Sequence, residues 1–219
     1  MIFFILKSFE MIANVKVPDS SIVKQAEDYA RSVSNDMLFN HVMRCYYFSQ
    51  LFVKQEKVKT DPELMFLSTV LHDLGFTDAA RGPNRFEIEG AHAARKFLVD
   101  NKVPDDRAWN VWHNIALHVG DLNLFKDDTT RLMQLGILYD LAAMPFDRKL
   151  DPDDVAAVLL HYPRLGFKQG FLALFEDELD RKQPYPHRFH MCSCIEHQRT
   201  GALNIPDPQA FFASAPFDE

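Results

Sequence analysis

Basic surplus, disulfide-forming cysteine and long apolar runs are all scarce in this chain, and each scarcity closes a class of function. Against 24 Lys and Arg stand 31 Asp and Glu, a net charge of −7. No overall positive field recruits nucleic acid. Three cysteines, Cys45, Cys192 and Cys194, cannot all pair, and the last two sit too close for an ordinary bridge. That usage fits a reducing, cytoplasmic setting. The opening apolar run, residues 2–6, falls far short of the ~18 residues a membrane helix needs. Lys7 follows that run instead of preceding it, so neither a signal peptide nor a membrane role is expected, and Met11 is an alternative start. Period-two alternation, the mark of strands, is missing too, as is any internal repeat.

What is present is helical pattern. At 219 residues, with roughly 150 per domain, the chain reads as one domain with embellishments, and its 19 Phe suggest a core of filled aromatic layers. Polar caps ahead of apolar runs predict helices at 22–33 and 37–54, and a third opened by Asp61-Pro62-Glu63 and stopped at Gly75. Further helices are expected at 87–101, 105–118, 129–144, 152–160 and 166–179, with a loop at 78–85 around Gly82-Pro83. The expected architecture is an all-α bundle, a single domain over residues 17–183. A C-terminal extension, 184–219, follows. It is proline-rich, since five of the 12 prolines lie in the last 40 residues. It is expected as an extended wrap with one short helix near 209–214, packed on the domain or serving as a homo-oligomer interface.

Three segments carry chemistry. In Val70-Leu71-His72-Asp73-Leu74-Gly75 an imidazole and a carboxylate end an apolar run, and burying either is costly unless it is paired, hydrogen-bonded or metal-bound. His41 lies on the aromatic second helix among apolar neighbours. Asp140 is a lone carboxylate within Leu138-Tyr139-Asp140-Leu141-Ala142. Taken singly, each has a plain alternative: a His72 bonded to a backbone carbonyl, or an Asp140 paired with a buried Arg. Together they supply two imidazoles and two carboxylates, a set that one divalent cation satisfies.

In order and context, His41…His72-Asp73…Asp140 on successive helices resembles the HD-domain superfamily of metal-dependent hydrolases, over roughly residues 17–180. The segments Phe39-Asn40-His41-Val42-Met43-Arg44-Cys45-Tyr46-Tyr47-Phe48, His72-Asp73-Leu74-Gly75-Phe76-Thr77 and Arg85-Phe86-Glu87 resemble its cyanamide hydratase-like branch. The resemblance implies that His41, His72, Asp73 and Asp140 ligate one catalytic metal, with zinc fitting the branch and iron or manganese as alternatives. Many HD phosphohydrolases carry a Lys directly after the His-Asp-x-Gly segment. Here Phe76-Thr77 stands instead, which favours a small, uncharged, flat substrate, although Arg81 or Arg85 is a substitute cation for a phosphate.

The implied chemistry is hydration of a nitrile-like group, of the cyanamide-to-urea type, by metal-activated water. Asp73 doubles as a proton relay, while His118 or Glu87 orients substrate or shuttles protons. Thr77, Phe76, Phe39 and Tyr47 are expected to line the pocket. The rivals are phosphohydrolysis of a nucleotide or other phosphate ester and a non-catalytic, regulatory metal-binding role. His92 and His113 read as structural, Cys45 as core. The tail segment around His187, His190, Cys192, Cys194 and His197 lacks the paired spacing of a zinc module.

Overall fold

The computed structural model describes residues 11–145, 147–182 and 191–201. Within them the chain is an all-α bundle of nine α-helices, and the one β-type pairing is the isolated bridge Ile12–Val15. The helices are α1 (Ser21–Val33), α2 (Asp36–Glu56), α3 (Pro62–Val70), α4 (Phe86–Asp100), α5 (Asp105–Ala116), α6 (Asp128–Ala142), α7 (Pro152–His161), α8 (Phe167–Arg181) and α9 (Met191–Thr200). No helix among the described residues is long and apolar enough to cross a membrane.

The chain divides into two compact units, the first running to Gly170 and the second starting at Phe171. The predicted boundary at 183–184 lay further along; the division instead falls inside α8. In the second unit, α9 is helical where an extended wrap was expected. The short helix expected near 209–214, and His187 and His190, lie outside the described residues. On α9 Cys192 is buried, its thiol directed to the Phe175 carbonyl at 3.5 Å, while Cys194 is exposed. Residues two apart on a helix diverge by about 200°, so the two sulfurs do not face one site.

Two helix starts follow the predicted caps, Asn35 and Asp61, and a third cap, Asp127, opens α6. The Asn35 side chain accepts from the Leu38 N–H, Asp61 from Leu64 and Asp127 from Thr130. Pro62 then takes the first turn of α3, where its missing N–H costs nothing. Ser20 precedes α1 without a side-chain cap bond.

In the first unit, α2 is the central helix, with Phe39, Cys45, Tyr46, Phe48 and Phe52 all buried. It packs most extensively on α6. Gly136 makes this approach possible: a Cβ there would stand 2.5 Å from the Cys45 carbonyl oxygen and 2.6 Å from the Ser49 nitrogen. Because α6 runs antiparallel to α2, Asp140, one turn past Gly136, arrives opposite His41 and Arg44. A second close approach brings α4 onto the turn after α3. There a Cβ on Gly75 would lie 1.8 Å from the Phe86 carbonyl oxygen.

The third helix stops earlier than predicted. Instead of running to Gly75, α3 ends at Val70, and a turn leads into the short 3-10 segment Leu74–Phe76. The cause is local. The Thr69 carbonyl, which a continuing helix would offer to the N–H of Asp73, accepts instead from His72 Nδ1 at 2.7 Å. The loop at 78–85 likewise opens with a 3-10 turn, Asp78–Ala80.

Candidate metal centre

Three buried histidines converge on one buried carboxylate. His41 is 0% exposed, His72 1%, His118 6% and Asp73 1%. His41 Nε2 lies 3.3 Å and His72 Nε2 3.2 Å from Asp73 Oδ2, and His118 Nε2 lies 3.7 Å from Asp73 Oδ1. The rings of His41 and His72 are 5.2 Å apart, those of His72 and His118 4.9 Å. Despite these neighbours, neither Asp73 oxygen is met by a donor in hydrogen-bonding geometry.

The far nitrogen of each ring explains why. His72 Nδ1 faces the Thr69 carbonyl and His118 Nδ1 faces the Ile115 carbonyl at 2.6 Å. A carbonyl only accepts, so both Nδ1 atoms carry the proton and both rings direct Nε2 at Asp73. His41 Nδ1 lies 2.7 Å from Asp140 Oδ2. An Nε2 without its proton turns a lone pair to the carboxylate and is repelled unless a cation stands between them. The donor types and the orphaned oxygens of Asp73 therefore fit a divalent metal, and a fixed Nδ1 partner on every imidazole is how metal-binding histidines are oriented.

Charge points the same way. Burial opposes ionisation of Asp73, yet the adjacent His72 and His41 hold its carboxyl far below the ordinary carboxylate range. Burial also opposes charge on His41, but Cys45, Asp140 and Asp73 together push that imidazole well above its usual value. These shifts favour a positive charge at the His41–Asp73 contact, which a proton or a bound cation supplies. His118 behaves oppositely, since burial, with His72 beside it, drops it to about 4. It is neutral at physiological pH.

Asp140 occupies a different place from the one the sequence predicts. Both its oxygens are taken by the fully buried Arg44, Nε to Oδ1 at 2.7 Å and Nη2 to Oδ2 at 2.8 Å, and Arg164 Nη1 adds a contact to Oδ1 at 3.1 Å. It meets His41 on the Nδ1 side, away from Asp73. Asp140 is therefore the orienting partner of His41, and the predicted alternative, a pair with a buried Arg, is what the geometry shows. Burial opposes its charge, but the His41 and Arg44 contacts bring it down to about 2.

The other predicted residues divide. Phe76 stacks on Phe86 at 3.9 Å, and Phe86 meets His118 edge-on at 5.7 Å, so this pair flanks the centre. Thr77 is buried, with its hydroxyl donated to the Leu74 carbonyl at 2.6 Å. Glu87 is fully buried at the start of α4 and paired with Arg85. Phe39 and Tyr47 are core residues, not brought to the centre: Arg31 covers the Phe39 ring and Tyr47 packs on Tyr46 and Tyr162. Positions two and six residues from His41 on α2 face elsewhere. His92 accepts from Trp112 Nε1, and His113 stacks on Trp109.

Two residues near His41 carried no site role in the sequence reading, Cys45 being read as core, where it lies. Cys45 Sγ lies 3.6 Å from His41 Nδ1 and 3.7 Å from Nε2, one turn along α2. The spacing of four is a visible signal. Phe167, at the start of α8, stacks on His41 at 4.7 Å and takes Arg164 on its ring. No sequence pattern announces it.

Comparison with known proteins adds no family: no family profile matches the chain, and no curated protein sequence is significantly similar to it.

Proposed function

We propose that this protein is a metal-dependent hydratase or hydrolase of the HD superfamily, acting on a small uncharged substrate with a nitrile-like group. The observation that carries the reading is the convergence of three oriented imidazoles on an orphaned buried carboxylate. His41, His72 and Asp73 would hold the ion, with His118 at its margin; zinc suits this donor set, with iron or manganese as alternatives. A bound divalent ion lowers the pKa of water toward neutrality and so supplies a nucleophile. His118, neutral and with Nε2 directed at Asp73, would be the group that takes a proton. Asp140 keeps His41 in the tautomer that presents Nε2.

The preference for an uncharged substrate rests on how the nearby cations are spent. Arg44 and Arg164 bind Asp140, Arg85 binds Glu87 and Arg81 binds Asp78. Each guanidinium already has a carboxylate, which leaves a phosphate ester to compete for it. The three free cysteines support a reducing, cytoplasmic setting.

The test begins with elemental analysis of the purified chain and of His72→Ala. One equivalent of metal that vanishes in the variant is expected, followed by urea formation from cyanamide without phosphate release from a nucleotide panel. Phosphate release would move the assignment to phosphohydrolysis. A folded chain that takes up no metal would sink the enzyme reading.

A further inference from the structure

We propose that Cys45 is a ligand of the ion held by His41, His72 and Asp73, which makes the centre a histidine–carboxylate–thiolate site selective for zinc-like metals. This rests on the metal reading above and names a donor that the reading does not require.

His41 and Cys45 are four residues apart on α2, one turn along the same face, the spacing by which one helix offers two ligands to one ion. The ligand atoms of His41, Cys45 and His72 all lie within 4.8 Å of one another. Zinc bonds of about 2.3 Å to sulfur and 2.0–2.1 Å to nitrogen place tetrahedral neighbours roughly 3.3–3.8 Å apart. Cys45 Sγ, 3.7 Å from His41 Nε2, stands at that separation. A second observation is independent of the sulfur. Asp73, 1% exposed and without a donor on either oxygen, directs Oδ2 at His41 Nε2 and His72 Nε2.

Two candidate donors adjoin the set of His41, His72 and Asp73: Cys45, grouped with His41 and His72, and His118, grouped with His72 and Asp73. Asp140, expected as a ligand from sequence, is held by Arg44 on the Nδ1 side of His41. Cys45 Sγ lies 3.7 Å from His41 Nε2 and is fully buried. On coordination the sulfur–metal bond replaces the S–H bond, and the proton leaves to solvent. A thiolate among nitrogen and oxygen donors softens the site and disfavours manganese or magnesium relative to zinc or cobalt.

The experiment is cobalt(II) reconstitution of the metal-free full chain, read by absorption spectroscopy. Wild type is expected to show an intense thiolate-to-cobalt charge-transfer band in the near ultraviolet. Cys45→Ser and Cys45→Ala should lose that band, keep the weak visible ligand-field bands, and show zinc affinity relative to manganese reduced by about tenfold or more. Circular dichroism melts of the metal-free variants control for folding. If neither variant folds, a Cys192→Ser/Cys194→Ser double variant decides, because retention of the band assigns it to Cys45. Ligand-field bands without a charge-transfer band in wild type would overturn the proposal and leave the metal centre intact. A band that survives in the Cys45 variants, or disappears in the double variant, would overturn it equally. Failure of wild type to take up cobalt would instead count against the metal reading itself.

Discussion

His72 and His118 are held by their own stretches of chain, whereas His41 is held by another helix. The first two use one device twice: a helix ends, and the histidine just past it turns Nδ1 onto the carbonyl three residues back, Thr69 in one case and Ile115 in the other. The geometry is short-range and needs only that the helix stop there. His41, in contrast, sits within α2 and depends on Asp140, 99 residues along the chain. That dependence requires Gly136 to let α6 approach, Arg44 to neutralise the carboxylate, and the fold to be complete. Two imidazoles are preset locally and the third is assembled by tertiary packing. The comparison predicts that damage to the α2–α6 contact costs global stability and metal together, while damage beside His118 costs less and stays local.

Asp140→Ala is the sharpest way to break the long-range arm. It strands the buried Arg44 guanidinium and removes the Nδ1 acceptor of His41. The expected loss is about 3–5 kcal/mol of unfolding free energy, read by urea denaturation, and roughly 10–100-fold in zinc affinity, read by competition with a chromogenic chelator. Unchanged stability would show that Arg44 and His41 find other partners and that the arm is not tertiary.

Acid titration tests the same arm without truncation. The folded carboxyl of Asp140 is depressed to about 2 against an unfolded value near 3.9. A depressed carboxylate contributes stability that is fully present above its unfolded value and is lost as pH falls through the folded one. The metal-free chain should therefore lose about 2 kcal/mol from this group between roughly pH 4 and pH 2. Asp140→Asn should lose less over that window, and parallel curves for the two proteins would remove the contribution.

What the sequence disclosed and what it hid follow from the same division. The first eight helices were largely legible because caps such as Asn35 and Asp61 and the apolar periods are local signals; α9 was not. His72-Asp73 was legible as chemistry because an imidazole and a carboxylate closed an apolar run. The premature end of α3 was not, since Leu71 is a good helix former and it is the His72 ring that takes the Thr69 carbonyl. The role of Asp140 was half legible. Its burial and its importance follow from apolar neighbours, but whether it faces a metal or Arg44 depends on which side of His41 α6 crosses. Phe39 and Tyr47 look like pocket residues only while helix phase is ignored. Phe167 reaches His41 after a turn in which Leu165 and Gly166 both take positive φ, a route no residue pattern near position 41 encodes.

On the local arm, Gln134 is the residue to change. Its amide donates to the His118 carbonyl at 2.6 Å and to that of Gly120 at 3.3 Å, tying the turn after α5 to α6. Gln134→Leu should cost on the order of 1–2 kcal/mol by leaving a buried carbonyl unpaired. Catalytic rate should fall more than zinc affinity, because His41, His72 and Asp73 are untouched. An equal loss of metal would show that His118 is a full ligand.

The two arginines on Asp140 give the finest contrast, because they share one carboxylate and differ in burial. Arg44 is 0% exposed and bidentate; the Arg164 side chain is 31% exposed and reaches only Oδ1 and the Asp140 carbonyl. Solvent screens a partly exposed pair and lets water replace it, so Arg164→Gln should cost no more than about 1 kcal/mol and leave zinc affinity within a few-fold of wild type. The small loss should shrink further in high salt, since an exposed pair is screened and a buried one is not. If Arg164→Gln instead matches Asp140→Ala in stability and in metal loss, its guanidinium, and the Phe167 ring it covers, hold the His41 arm closed. The burial contrast between the two arginines would then have misjudged which of them carries the carboxylate.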